Sequence, residues 1–284
     1  MVKFKIINNT IYDANISKGE KIIEIPNGVL RIKKIYITRD VEKIIIPKSV
    51  EIIDLDAFEY AINLREIILI DNDNFIVEKK CLYNNKKTII YLAERDIVNS
   101  FNTPSQVRYI SAYAFAHCSF LKSIKLNQNI KYIGAFAFIE CFNLIKINIP
   151  TINEINLHEA TFEGCNSLKE IVIPKNIKSL GKCLFYECDS LERIIIETNQ
   201  IKIIPFQCFA YCERLLNIDF KEGIKEIKEN AFMGCKSLER ISLPKSVNKI
   251  GLDVFLDVEN VTIKSESSFV KDYCINNKIS CINY

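Results

Sequence analysis

The sequence predicts a repeat solenoid: a right-handed coil of ~23-residue units, with a parallel β-sheet along one face and turns or short helical segments along the other. It is α/β by class and β-rich. Three observations predict this. Phenylalanine recurs at Phe115, Phe138, Phe162, Phe185, Phe209, Phe232 and Phe255, at spacings of 23, 24, 23, 24, 23 and 23 residues. Behind each of the first six stand a cysteine at plus three (Cys118, Cys141, Cys165, Cys188, Cys212, Cys235), a leucine at plus six and an isoleucine at plus nine. At plus eleven the side chain is again apolar (Leu126, Ile149, Ile173, Ile196, Phe220, Leu243), and proline often follows, as at Pro150, Pro174 and Pro244.

The unit explains itself from strand geometry. Side chains alternate along a strand, so plus nine and plus eleven enter the core while plus eight and plus ten face out. Proline lacks an N–H and closes the strand. A second apolar position lies five residues before the next phenylalanine (Ile110, Ile133, Leu157, Leu180, Ile204, Ile227, Ile250), which builds an opposite wall. A single coil cannot bury these residues by itself, but a stack can, each coil covering its neighbours.

Along the chain, residues 1–20 read as an N-terminal cap and 21–263 as the solenoid, with about nine countable units. The upstream units are weaker: Phe58 has Ala61 in the cysteine column, and Ile35 replaces the phenylalanine. A β-rich insert at about 71–100 fills the long gap between Phe58 and Phe115; its segment 74–93 reads as a hairpin or small meander projecting from the stack. Residues 264–284 read as a C-terminal cap, with a short helix at about 267–277 and a final strand.

Composition narrows the function classes. Basic and acidic residues number 38 and 35, leaving +3, too balanced and interspersed to argue for nucleic acid or an anionic membrane. No apolar run reaches the ~18 residues of a spanning helix, so no membrane insertion is expected. The N-terminus has no apolar leader core; as written the chain reads as cytoplasmic, and as a processed product it reads as secreted or surface-bound. The N-x-[ST] triplets at Asn8, Asn15 and Asn260 read as chance matches in an asparagine-rich chain.

Chemistry has few footholds. Six of the 11 cysteines fall in one column and read as turn-filling residues. The remainder, Cys81, Cys183, Cys208, Cys274 and Cys281, lack metal-ligand spacing, and two histidines, His117 and His158, cannot complete zinc sites. Cys274 and Cys281 could pair in an oxidising compartment or remain free thiols. With no nucleophile elbow or phosphate loop, no catalytic residue, metal or cofactor is expected, and an enzyme is the remote reading.

The unit AFMGCKSLERISLPKSVNKIG (231–251) resembles the BspA-like (Treponema-type) leucine-rich repeat over roughly residues 20–263, and FIVEKKCLYNNKKTIIYL (75–92) is similar to an insert that punctuates such arrays. The resemblance implies a leucine-rich-repeat-like fold and a non-enzymatic, adhesion-type function at a cell surface, with a host or cell-surface protein as partner. An intracellular scaffold or adaptor is the alternative.

A site is therefore expected among outward strand positions. Ile145, Val172, Ile195 and Leu216 should form an apolar strip across the middle of the concave face. Lys146, Glu170, Arg193 and Arg240 are expected at its rim, with Lys125, Asn148, Asp219 and Ser242 completing the partner-binding surface of a monomer.

Overall fold

The computed structural model describes residues 1–283 as a β-solenoid of about 11 turns. Tyr284, last residue of the expected C-terminal cap, lies outside the described residues. The turn number exceeds the repeat count because the coils before Phe58, and the coil in which the insert returns, carry no phenylalanine.

The outward-varying wall contains Ile22–Glu24, Lys43–Pro47 and Glu66–Ile70, then Asn99–Asn102, Leu121–Lys125 and Lys146–Ile147. It continues through Glu170–Ile173, Arg193–Ile196, Asn217–Asp219, Arg240–Ser242, Thr262–Lys264 and Ser280–Ile282. Pairing is parallel and in register with the repeat, as in Asn217↔Arg240 and Ile218↔Ile241. Short strands such as Tyr109–Ile110 and Tyr132–Ile133 form the opposite wall. Between the walls the phenylalanine column makes a continuous ring stack, with centroid separations of 5.4 Å for Phe115–Phe138 and 5.7 Å for Phe232–Phe255. All of the column from Phe115 to Phe232 is fully buried, each ring contributing roughly 2–3 kcal/mol of transfer free energy.

The edge joining the walls is built from turns, one of the two forms expected there, rather than from short helical segments. The cause is the left-handed backbone at minus two and plus two around each phenylalanine, as at Gln207 (φ 51°) and Tyr211 (φ 59°), or Asn230 (φ 58°) and Gly234 (φ 70°). A left-handed residue every fourth position cannot continue an α-helix. It turns alternate peptide units along the stack instead. Gln207, Phe209 and Tyr211 donate their N–H groups to the carbonyls of Glu229, Ala231 and Met233, at 3.3, 2.9 and 2.7 Å. The same three bonds recur at every joint from Phe115 to Phe255.

The insert is embedded and does not project. Phe75–Glu78, Cys81–Asn84 and Ile89–Ala93 form an antiparallel meander, and its last strand pairs in parallel with Tyr109–Ile110. Cys81, Leu82, Tyr83, Ile90 and Leu92 are at most 1% exposed. Leu82 and Leu92 pack into the N-terminal core, Tyr83 and Ile90 into the C-terminal one, so the meander is a septum shared by two hydrophobic cores. Where its shortened coil lacks a phenylalanine turn, buried Arg95 donates to the carbonyls of Ala61 (2.9 Å), Ala93 (3.0 Å), Ala114 (3.0 Å) and Tyr113 (3.2 Å).

Both ends are closed by added structure. At the N-terminus Val2–Ile7 and Thr10–Ile16 form a hairpin over Asn8 and Asn9, both with positive φ, as a two-residue turn requires. At the C-terminus the helix Ser268–Asn277 is capped by Ser267 and buries Val270 and Cys274 on the last coil. Ser280–Ile282 then adds a final parallel rung.

Candidate protein-binding face

The strand wall does not run unbroken. Lys146–Ile147 has no ladder partner in Glu170–Ile173, and Arg193–Ile196 joins Asn217–Asp219 through the single pair Arg193↔Asn217. These two joints fall where the phenylalanine spacing is 24 instead of 23, between Phe138 and Phe162 and between Phe185 and Phe209. At 23-residue joints the ladder is fuller, four pairs between Glu170–Ile173 and Arg193–Ile196. The surplus lies in the loop leaving the strand. Pro174 to Ile177 spans the regular interval; Pro150 to Ile155, and Glu197 to Ile201, are longer. The longer loop draws the strand end away from its successor, and the wall opens while the turn edge stays bonded.

Each opening is a cleft on the sheet face. The first, ≈ 590 Å³, is lined by Ile145, Lys146, Glu170 and Val172 with Lys169 and Glu197. The second, ≈ 480 Å³, is lined by Arg193, Ile195, Leu216, Asp219 and Arg240 with Glu192. The four apolar residues expected as a strip thus divide into two pairs, Ile145 with Val172 and Ile195 with Leu216. They are not one file: Val172 pairs directly with Ile195, whereas Ile145 and Leu216 occupy a column three residues earlier in the unit. Ile145 is 51%, Val172 37% and Leu216 42% exposed.

Two expected contact residues are hydrogen-bonded within the stack, Asn148 at the wall of the first cleft. Ser242 is buried, its hydroxyl donating to a carboxylate oxygen of Asp219, because it sits in register between Asp219 and Lys264 on a continuous part of the ladder. Asn148 is half-buried and its amide replaces a missing rung: Nδ2 donates to the Leu126 carbonyl (3.0 Å), and Oδ1 accepts from the Leu126 N–H (2.8 Å). Lys125 is exposed but lies outside both clefts. Glu170 and Arg193 approach to 3.4 Å across the ridge between the clefts; both are more than half exposed, so the pair adds little to stability and is open to exchange with a partner. Lys169, Glu192 and Glu197 escaped sequence reasoning. The signal that marks them is the 24-residue spacing.

The groups that suggested reactivity are engaged in structure. Each column thiol from Cys141 to Cys235 donates to the preceding coil's phenylalanine carbonyl, Cys188 to Phe162 and Cys212 to Phe185 both at 3.1 Å. Burial pushes the Cys235 thiol up to about 12 and the Cys183 thiol up to about 11, away from the thiolate a nucleophile needs. Cys274 and Cys281 are free thiols. His117 Nδ1 lies 3.0 Å from Glu140, with its pKa lowered chiefly by burial, and the His158 ring packs on Tyr132. Among the described residues no group of three or more His, Cys, Asp or Glu side chains could hold a metal ion, and no helix is long and apolar enough to cross a membrane.

A stack of coils with buried thiol rungs and a variable strand face defines a leucine-rich repeat protein. The chain belongs to the BspA type leucine-rich repeat family, whose repeat region matches in 6 copies over residues 33–155, 91–201 and 184–283. Among solved structures it is similar to a leucine-rich repeat protein from Eubacterium ventriosum, with 26% identity, a TM-score of 0.59, and coverage of 84% of this chain and 64% of that one. It therefore spans less than two thirds of that relative. A T. pallidum leucine-rich repeat protein is 26% identical, with a TM-score of 0.58 and coverage of 68% of this chain and 89% of that one. The pneumococcal vaccine antigen PcpA shares the fold at 20% identity and a TM-score of 0.54, over 93% of this chain and 79% of that one. Curated proteins give no match.

Proposed function

We propose that this chain is a non-enzymatic protein-binding module that takes two apolar side chains of a partner protein into the paired clefts of its strand face. The observation that carries this reading is the placement of two aliphatic pairs, exposed Ile145 with exposed Val172 and half-buried Ile195 with exposed Leu216, in two neighbouring openings rimmed by both signs of charge. An aliphatic side chain fully buried in such a cleft contributes roughly 1.5–3 kcal/mol, and a small central cluster of this kind commonly dominates an interface. Lys146, Lys169, Glu170, Arg193 and Arg240 set orientation and association rate from the rim. Family resemblance extends the reading to adhesion at a cell surface.

The test is a double substitution, Val172→Lys with Ile195→Lys. Capture of the partner by the intact chain is expected to fall by at least about tenfold, matching loss of about 1.4 kcal/mol or more. The melting temperature should stay within a few degrees, since both side chains face solvent. Undiminished capture by the folded double variant would remove the strand face as the site. A partner set drawn from cell-surface proteins supports adhesion, and one drawn from cytosolic proteins supports the adaptor reading.

A further inference from the structure

A further cavity lies away from the strand face, at the C-terminal end of the turn edge. It measures ≈ 700 Å³ and is lined by Asp253, Phe255, Leu256 and Val258 of the last turn, and by Tyr273 and Lys278 of the cap. Its origin is in the turn ladder. At every joint from Phe115 onward, the residues at minus two, zero and plus two donate their N–H groups to the next coil; Asn230, Phe232 and Gly234 donate to Leu252, Val254 and Leu256 at 3.1, 3.0 and 2.8 Å. The last turn repeats the geometry, with Asp253 and Asp257 left-handed at φ 52° and 59°. No coil follows it. The cap adds a rung to the strand wall and a helix over the core, but no turn. Among the described residues the N–H groups of Asp253, Phe255 and Asp257 have no acceptor.

We propose that this notch binds an extended polypeptide segment of a protein partner, whose main-chain carbonyls at alternate residues accept from these three N–H groups as a further coil would. Three donors in repeat register, two of them on residues that line the cavity, are recognition elements, because a backbone N–H is satisfied only by an acceptor. Spacing and charge select the acceptor. Successive left- and right-handed residues can also cradle an anion, but Asp253 and Glu259 line this cavity and repel one. Neutral carbonyls spaced two residues apart are what every internal joint supplies. Phe255 is buried against Phe232 at 5.7 Å, but Leu256 is 46% exposed at the margin, so an apolar side chain between the bonding carbonyls has a surface to pack on. This site is separate from the strand-face clefts.

The probe is a synthetic peptide copying residues 227–238, a turn that performs this role inside the stack, with serine in place of Cys235. Titrated into the isotope-labelled intact chain, it is expected to shift the Asp253, Phe255 and Asp257 amide resonances saturably, with a dissociation constant of roughly 0.1–1 mM. Leu256→Lys should weaken this at least about fivefold, and the Val172→Lys/Ile195→Lys variant should bind the peptide as the parent chain does. Absence of shifts at these three amides, or shifts centred on the strand face, overturns the proposal. So does a response to inorganic phosphate in place of the peptide, which would mark an anion site. Shifts that appear on raising protein concentration alone would assign the notch to a second copy of the chain and also overturn it.

Discussion

Cys212 has the smallest repeated role in the molecule. Its thiol donates at 3.1 Å to the Phe185 carbonyl, as a second donor beside the Cys188 N–H at 3.2 Å. Packing alone would allow alanine there, as at Ala61; the hydrogen bond is why cysteine recurs. Cys212→Ala is expected to cost about 1–2 kcal/mol, for one lost hydrogen bond and a small void, and Cys212→Ser less, because the hydroxyl still donates. Urea denaturation midpoints measure both. Glu163 contributes in the opposite direction. Burial first, then the carboxylates of Glu187, Glu140 and Glu159, raise it to about 7. An acid whose folded pKa lies above its unfolded value favours folding at low pH and loses that contribution as pH rises; here the loss runs from about 4.5 to about 7. Glu163→Gln should therefore raise stability at pH 8 by about 1 kcal/mol, after allowance for its partial exposure, with little effect at pH 4.

The informative element is the coil with one residue too many. Two such coils precede the two weakened joints of the strand wall downstream of the insert, one unpaired and one held by a single pair, and both clefts lie at those joints. A one-residue surplus leaves the turn edge intact, because its three N–H bonds re-form at every joint, and is absorbed where the ladder is weakest, at the strand exit. Deleting Asn199 restores the regular interval between Ile196 and Ile201. The pairing of Arg193–Ile196 with Asn217–Asp219 should then extend beyond its single pair, and the second cleft should close. Hydrogen exchange at the Ile196 amide, which faces Asn217–Asp219, is expected to slow by at least about tenfold, the effect of one added net hydrogen bond. Partner capture should fall, with no change in the charge of the face.

On the scale of the whole molecule, two cores share one septum, and Arg95 joins them where no aromatic rung is present. A buried guanidinium with four carbonyl partners is a joint that a hydrocarbon cannot imitate. Arg95→Leu should cost about 3–5 kcal/mol and divide unfolding into two steps. Amide exchange at Ile44, in the N-terminal core, and at Ile218, in the C-terminal one, should show a common opening energy in the parent chain and separate values in the variant. The sequence by itself determined the period, the buried columns, both walls, the existence of the insert and the repeat family. Each of these is set by which side chains recur at fixed spacing, and recurrence forces burial once coils stack. Tertiary structure alone decided that Ser242 and Asn148 are bonded within the stack, that the insert is internal, that the apolar strip is two clefts, and that the last turn keeps three N–H groups without an acceptor. Those outcomes depend on how each coil is offset from its neighbour and on what closes the ends of the stack, which a periodic pattern does not encode.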